Sequence, residues 1–362
     1  MKRRDLLLRG SALPVAAAST LAAPALAQSG PKVRWRMPTS FPTGLATLYG
    51  GATFLAERVA ALTDGAFEIT PYAGGEIVPP LGVLEAAQNG TVEAGFTAGF
   101  YYLGKSPALM FDTGVPFGMS PRQHNAWMNQ GGGLELMREL YAEFNTINFP
   151  AGNSGAQMGG WYRKPIDTLD DIKGLRIRAA GLTGSVFAEL GAVPQSIPGS
   201  DLYPAMERGA LDAVEFVGPY DDERLGFQKV AKYYYAPGVL ELGASITMIA
   251  NLDAYNELPE TFKQALRSAS AEANTEMLAR YDTLNIAALR RLIGAGVELR
   301  SWSEEIMIAM QSAAEKLLDA EASSDPGFKD IYDHWKAFRD DQILWSSVND
   351  GAAQGFLASH RG

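Results

Sequence analysis

The chain has 362 residues, no cysteine and three histidines, and its 31 lysines and arginines face 41 acids, for a net charge of −10 and a pI near 5.0. With 47% hydrophobic and 20% charged residues it carries enough apolar side chain for a sizeable core, which excludes disorder as the main state. The lack of cysteine excludes disulfides, thiolate nucleophiles and cysteine-held metals, and the acidic balance argues against a nucleic-acid surface, though a local cationic pocket for a small anion stays compatible with it.

Residues 1–27 read as an export signal. Lys2, Arg3, Arg4 and Arg9 precede an uncharged, mostly small and apolar stretch that ends in Ala25-Leu26-Ala27, a small-x-small cleavage pattern. Arg3-Arg4 followed by Asp5-Leu6-Leu7-Leu8 resembles a twin-arginine signal. Pro14 and Pro24 make the stretch a poor permanent membrane span, so the expected location is the periplasm. The signal holds four basic residues and one acid, so without it the net charge falls from −10 to −13.

Residues 33–37 form a β-favouring run ended by Pro38, and apolar side chains recur at helical spacing over 45–62. A strand over 66–72, a helix from Pro79-Pro80 to Gln88 and a strand over 92–97 complete an alternating first lobe, placed at 28–150. A second lobe, placed at 151–250, repeats the alternation. It predicts strands at 175–178, 193–197 and 211–215, with helices at 183–190 and 202–208 between them. Beyond residue 251 the pattern is helical over 259–293, 304–322 and 327–357, a set expected to strap the lobes together or to pair with another subunit.

One internal echo relates the halves. Leu84-Glu85-Ala86-Ala87-Gln88-Asn89-Gly90-Thr91-Val92-Glu93-Ala94 parallels Tyr203-Pro204-Ala205-Met206-Glu207-Arg208-Gly209-Ala210-Leu211-Asp212-Ala213: helix, glycine stop, strand. The loops that follow, 97–102 and 215–220, are rich in glycine and aromatic residues. Ligands of open α/β sheets bind at the carboxyl ends of strands, so the two loops are expected to wall one cleft. The fold expected is α/β, with two lobes facing each other.

Enzyme motifs are weak. Gly152-Asn153-Ser154-Gly155-Ala156 misses the last glycine of a nucleophile elbow, no P-loop lysine follows Gly131-Gly132-Gly133, and His124, His334 and His360 are scattered. The most suggestive set is Arg178, Gln157 and Glu215. Arg178 ends a predicted strand and offers a planar fork that matches a carboxylate; a structural salt bridge is the alternative. Glu215 also ends a strand. Its carboxylate, with the amide oxygen of Gln157, supplies hard donors suited to Na⁺, Ca²⁺ or Mg²⁺, and such a cation would turn repulsion of an anionic ligand into attraction.

Several segments in fixed order carry a resemblance: Gly174-Leu175-Arg176-Ile177-Arg178, Gly191-Ala192-Val193-Pro194, Ser200-Asp201-Leu202-Tyr203, Gly209-Ala210-Leu211-Asp212-Ala213, and Glu215-Phe216-Val217-Gly218-Pro219-Tyr220 with Lys229-Val230-Ala231-Lys232-Tyr233-Tyr234-Tyr235. This series resembles the solute-receptor subunit of TRAP transporters, on the branch that binds 2-oxo acids such as pyruvate, beside relatives that bind the 2-hydroxy acid lactate. The resemblance implies a two-lobed periplasmic-binding-protein fold with long C-terminal helices, no enzymatic activity, and delivery of the acid to a small and a large membrane subunit. It implies that Arg178 pairs with the ligand carboxylate. Gln157, Glu215 and the backbone carbonyl of Phe216 would hold a Na⁺ or Ca²⁺ ion that also touches the ligand, with Tyr101, Asn153 and Glu241 as further ligand-binding residues and a homodimer as the assembly. The chain departs from the pattern at Phe216, where this branch often has tryptophan, and over 235–241, which is less aromatic than in close members. A periplasmic enzyme acting on organic acids and a ligand sensor for a membrane kinase are the alternative functions.

Overall fold

The computed structural model describes residues 32–360; the expected export signal lies outside them. Eleven strands can be followed among the described residues: β1 (Val33–Pro38), β2 (Phe67–Tyr72), β3 (Ala94–Thr97), β4 (Thr146–Asn153), β5 (Gly160–Tyr162), β6 (Arg176–Arg178), β7 (Val193–Gln195), β8 (Ala213–Val214), β9 (Tyr233–Ala236), β10 (Ser245–Asn251) and β11 (Glu298–Ser301).

They build two lobes. In the first, β1 and β2 pair in parallel, β10 lies antiparallel between β3 and β4, and a bridge from Thr39 to Phe96 joins the two groups edge to edge. The second is a mixed six-stranded sheet in the order β11-β9-β5-β8-β6-β7. The Leu48–Leu62 helix buries Leu48, Ala52, Leu55, Ala56 and Val59, the stripe its 3.6-residue periodicity predicts. The echo also appears as expected: the Val83–Gln88 and Leu202–Glu207 helices stop at Gly90 (φ 67°) and Gly209 (φ 72°), left-handed positions that glycine adopts without a Cβ penalty, and the chain then enters β3 and β8.

The expected boundaries differ from the observed sheets in three places. β4 runs across residue 150, β10 returns from the second lobe to become the middle strand of the first, and β11 adds an edge strand to the second sheet from the connection between two of the expected C-terminal helices. The cause is the same for β4 and β10. Every residue of β10 and most of β4 are buried, so neither shows the one-sided alternation that marks a strand in sequence. The Pro121–Gln130 and Gly133–Ala142 helices were likewise not foreseen, and the helix expected over 327–357 is two, Pro326–Val348 and Asp350–Ser359, broken at Asn349.

The Glu260–Gly294 helix packs on β4 and the Leu48–Leu62 helix of the first lobe and on the Pro219–Leu225 helix of the second. It is therefore a strap across both. The Glu304–Ser324 helix covers the Gly181–Glu189 helix and leans on Pro326–Val348, whose Phe328, Tyr332 and Trp335 pack around Phe111 in the first lobe. No described helix is long and apolar enough to cross a membrane.

Candidate functional site

Two stretches carry the chain between the sheets, 154–159 after β4 and 237–244 before β10, and they are bonded to each other. Ser154 N donates to the Ala244 carbonyl at 2.9 Å, Ala244 N returns a bond to Ser154 Oγ at 2.8 Å, and Gly238 N donates to the Gln157 carbonyl at 3.1 Å. Ser154 Oγ also accepts from Gln157 Nε2 at 2.9 Å, which turns the Gln157 side chain so that its Oε1 points away from this bond. The serine of the near-miss nucleophile elbow is thus a brace with its hydroxyl engaged.

The strand ends of the second lobe supply the charges. β6 and β8 are parallel neighbours with Arg178 opposite Val214, so Arg178 and Glu215 emerge side by side. Arg176, two residues earlier, is exposed and bonded to Asp212 at 2.5 Å, whereas Arg178 is 3% exposed. Arg178 Nη1 donates to the Glu215 carbonyl at 2.6 Å and Nε to the Ile197 carbonyl at 3.3 Å, and the guanidinium carbon stands 5.2 Å from the centre of the Phe216 ring. Two backbone carbonyls and an aromatic face therefore fix the fork and leave N–H bonds of Nη1 and Nη2 for a ligand.

These groups surround one cavity. The first lobe contributes Phe41, Leu48, Phe100 and Tyr101, the second Arg178, Glu215 and Phe216, and the crossing stretches Gln157 and Glu241. Both expected loops, 97–102 and 215–220, stand on its wall. Of the residues expected at the site, Arg178, Gln157, Glu215, Phe216, Glu241 and Tyr101 meet here. Asn153 does not line the cavity: its Oδ1 accepts from Gly155 N at 2.9 Å and shapes the turn that presents Gln157. The sequence reading missed Ser154 as a brace, and it missed the apolar wall of Phe41, Leu48 and Ile246. Apolar residues of this kind carry no sign in sequence that separates a cavity wall from a core.

The electrostatics are unbalanced. Gln157 Oε1, Glu215 Oε1 and Glu241 Oε1 are all buried without a hydrogen-bond partner, and Glu215 Oε2 is 3.7 Å from Arg178 Nη1. Burial pushes the Glu215 carboxyl up to about 7, with Arg178 opposing and Asp222 adding to the rise. Burial and then Glu215 hold Glu241 well above the usual carboxylate range. A buried acceptor without a donor is costly, and a buried carboxylate more so, unless a cation compensates it. The donor set of two carboxyl oxygens, an amide oxygen and nearby backbone carbonyls fits a hard cation such as calcium or sodium and does not fit a soft or histidine-bound metal. No cluster of three or more histidine, aspartate or glutamate side chains suited to a metal occurs among the described residues.

Three comparisons bear on this site. The sequence profile described as bacterial extracellular solute-binding protein, family 7, matches residues 41–325. A protein of Nostoc sp. (strain PCC 7120) described as a monocarboxylate 2-oxoacid-binding periplasmic protein is 47% identical, over 99% of this chain and all of its own length. Among solved structures, a TRAP transporter solute-binding protein of Bordetella bronchiseptica superposes with a TM-score of 0.90 at 47% identity, covering 91% of this chain and 98% of its own; it is a mixed-occupancy dimer with copurified calcium and picolinate in one site. One from Pseudoalteromonas atlantica, with bound sodium and pyruvate, has a TM-score of 0.87 at 34% identity, covering 91% of this chain and all of its own.

Proposed function

Because the chain belongs to family 7 of the bacterial extracellular solute-binding proteins, the receptors of TRAP transporters, we propose that it captures a small 2-oxo monocarboxylic acid such as pyruvate, or its 2-hydroxy counterpart, together with a calcium or sodium ion. The observation that carries this reading is the convergence of one buried, pre-aimed guanidinium with three buried oxygens that lack partners, all on one cavity.

Arg178 takes the ligand carboxylate. Gln157, Glu215 and the backbone carbonyl of Phe216 hold the cation, which offers a carboxylate and its neighbouring 2-oxygen a common positive centre. Tyr101 and Phe100 close over the ligand from the first lobe. Because the wall draws on both lobes and is almost wholly buried, binding is coupled to closure of the cleft, and the ligand favours the closed form by contacting both sides at once. The receptor works in the periplasm, after removal of residues 1–27, and hands its ligand to the small and large membrane subunits of the transporter.

A homodimer is the assembly we propose. Support comes from the C-terminal helices: Ile343, Leu344, Trp345 and Val348 are exposed on one, and the Asp350–Ser359 helix buries no residue while exposing Phe356 and Leu357. Exposed apolar side chains in such a run mark an interaction surface.

Calorimetry with pyruvate, lactate and a dicarboxylate in calcium-containing buffer tests the function. Tight one-to-one binding of the 2-oxo acid without turnover is expected. Conversion of the bound acid to a product would replace the receptor reading with an enzymatic one. Light scattering of the purified chain reads the dimer.

A further inference from the structure

The Pro121–Gln130, Gly133–Ala142 and Glu260–Gly294 helices leave an open cavity of about 460 Å3 over β4, a size that takes a small organic molecule. It shares no lining residue with the ligand cavity between the lobes. Arg138 and Arg267 line it and no acid does, although the chain as a whole is acidic.

Arg138 is the group the fold leaves uncompensated. Its guanidinium carbon stands over the Phe149 ring, 5.5 Å from the centre, and its Nε is sealed from water with no acceptor. Burial pulls its pKa below the ordinary arginine value, and the Arg267 charge adds to this against Tyr255 and Glu135. A half-buried charge of this kind ordinarily sits in an ion pair, and an orphaned buried donor in a native structure needs a reason. Arg267 is better served: Nη2 donates to Tyr255 OH at 2.9 Å and Nη1 to Glu260 Oε1 at 3.3 Å. Glu260 is the one carboxylate paired with either guanidinium among the described residues.

The remaining wall offers both polar and apolar contact. Ser270 is 2% exposed and its hydroxyl has no partner, and Asn125 Oδ1 is likewise buried and unpaired. They place a hydroxyl and an amide oxygen on the same cavity as the arginines, with Leu134, Phe149 and Pro150 beside them. A carboxylate or phosphate group matches a guanidinium fork because it accepts two hydrogen bonds at once, and its charge offsets the one the fold leaves over. A wall without acids does not oppose that attraction.

We propose that this cavity is a second ligand site, which takes a small hydroxylated organic anion by its carboxylate or phosphate head, with Arg138 and Arg267 as the anchors. The head group meets the two guanidiniums. The body lies along Phe149 and Pro150, and its hydroxyl groups meet Ser270 and Asn125. The site stands independently of the acid and cation bound between the lobes.

The test titrates glycerol 3-phosphate and, separately, malate into the full chain in sodium buffer with saturating pyruvate, which occupies the cleft. Sodium chloride at matched ionic strength is the control. Calorimetry is expected to show saturable binding of one molecule per chain for at least one of the two, and the one that binds identifies the head group. Arg138→Gln and Arg267→Gln are each expected to weaken it by about tenfold or more, the worth of a charge-assisted hydrogen bond, while pyruvate affinity stays within about twofold of wild type. Without an anion, Arg138→Gln is expected to melt at or above the wild-type temperature, because it removes an uncompensated charge; an arginine with a purely structural role would lower it. Saturable binding of neither probe overturns the inference, as does binding that both variants leave unchanged. Variants that lose a dimer while no anion binds also overturn it, and make the groove a subunit contact. Failure of pyruvate to bind would count against the cleft reading alone, since the loss of anion binding in the two arginine variants still decides this site.

Discussion

Arg178 Nη1 meets the backbone carbonyl of Glu215 at 2.6 Å, while the Glu215 carboxylate stands off at 3.7 Å from the same nitrogen. The arginine is thus positioned by the main chain of its neighbour, and the neighbour's carboxylate is kept for something else. This offset leaves the fork open to a second carboxylate, the arrangement the proposed binding role needs; a tight structural ion pair would have the fork grip Glu215 directly.

Arg178→Lys removes the planar fork while keeping the charge. Truncating one partner of a buried, hydrogen-bonded charge pair costs about 2–5 kcal/mol, so pyruvate affinity is expected to fall by at least about 30-fold. Calorimetric affinity within a few-fold of wild type would remove Arg178 from the anchor role.

The cation is expected to be required. After chelation and exchange into choline chloride, pyruvate affinity should drop by about tenfold or more, and calcium or sodium should restore it. Glu215→Gln should blunt that restoration. Full affinity in a protein shown by elemental analysis to be free of both ions is the result that contradicts a bridging cation.

Ser154 holds both crossing stretches through one hydroxyl, which accepts from Gln157 Nε2 and Ala244 N. Ser154→Ala strands two buried donors and is expected to cost about 1–3 kcal/mol of stability and to loosen Gln157, so acid affinity falls as well. Denaturant unfolding and calorimetry read the two effects, and a loss of stability with no change in affinity would show that Gln157 does not depend on the brace.

Asp222 gives the fold a pH dependence. Burial pushes its carboxyl from 3.8 up to about 7, against the opposing bonds donated by Tyr234 OH at 2.7 Å and Trp161 Nε1 at 2.9 Å. The folded state therefore keeps this proton to higher pH than the unfolded chain does, so the group's contribution is present at low pH and lost as pH rises from about 4 to about 7. Asn at this position cannot ionise. The stability gap between wild type and Asp222→Asn should move in favour of the variant between pH 5 and pH 8, and a gap that stays constant over that range contradicts the assignment.

Much of this was legible without the structure. The strand–helix alternation, the paired helix–glycine–strand units and the two aromatic loops rest on local periodicity and on glycine's tolerance of positive φ, properties that short segments carry in themselves. Arg178, Glu215 and Gln157 were legible as chemistry, since a fork and hard oxygen donors have few partners they suit. Residues of β10 were not, because a strand buried on both faces has no alternation to read, and its return to the first lobe shifts where the lobes begin and end.

By itself, then, the sequence determined the two alternating lobes, the acidic balance and the residue types a small acid and a hard cation would need. Only the tertiary structure decided that Glu241 and Glu215 share a buried wall, that Ser154 is a brace, that Asn153 stands off the cavity, and that Arg138 and Arg267 line a cavity of their own. The physical reason is that the cost of an unpaired buried oxygen depends on everything packed around it. Those neighbours come from segments far apart in the chain, joined only when the two sheets and their crossing stretches assemble.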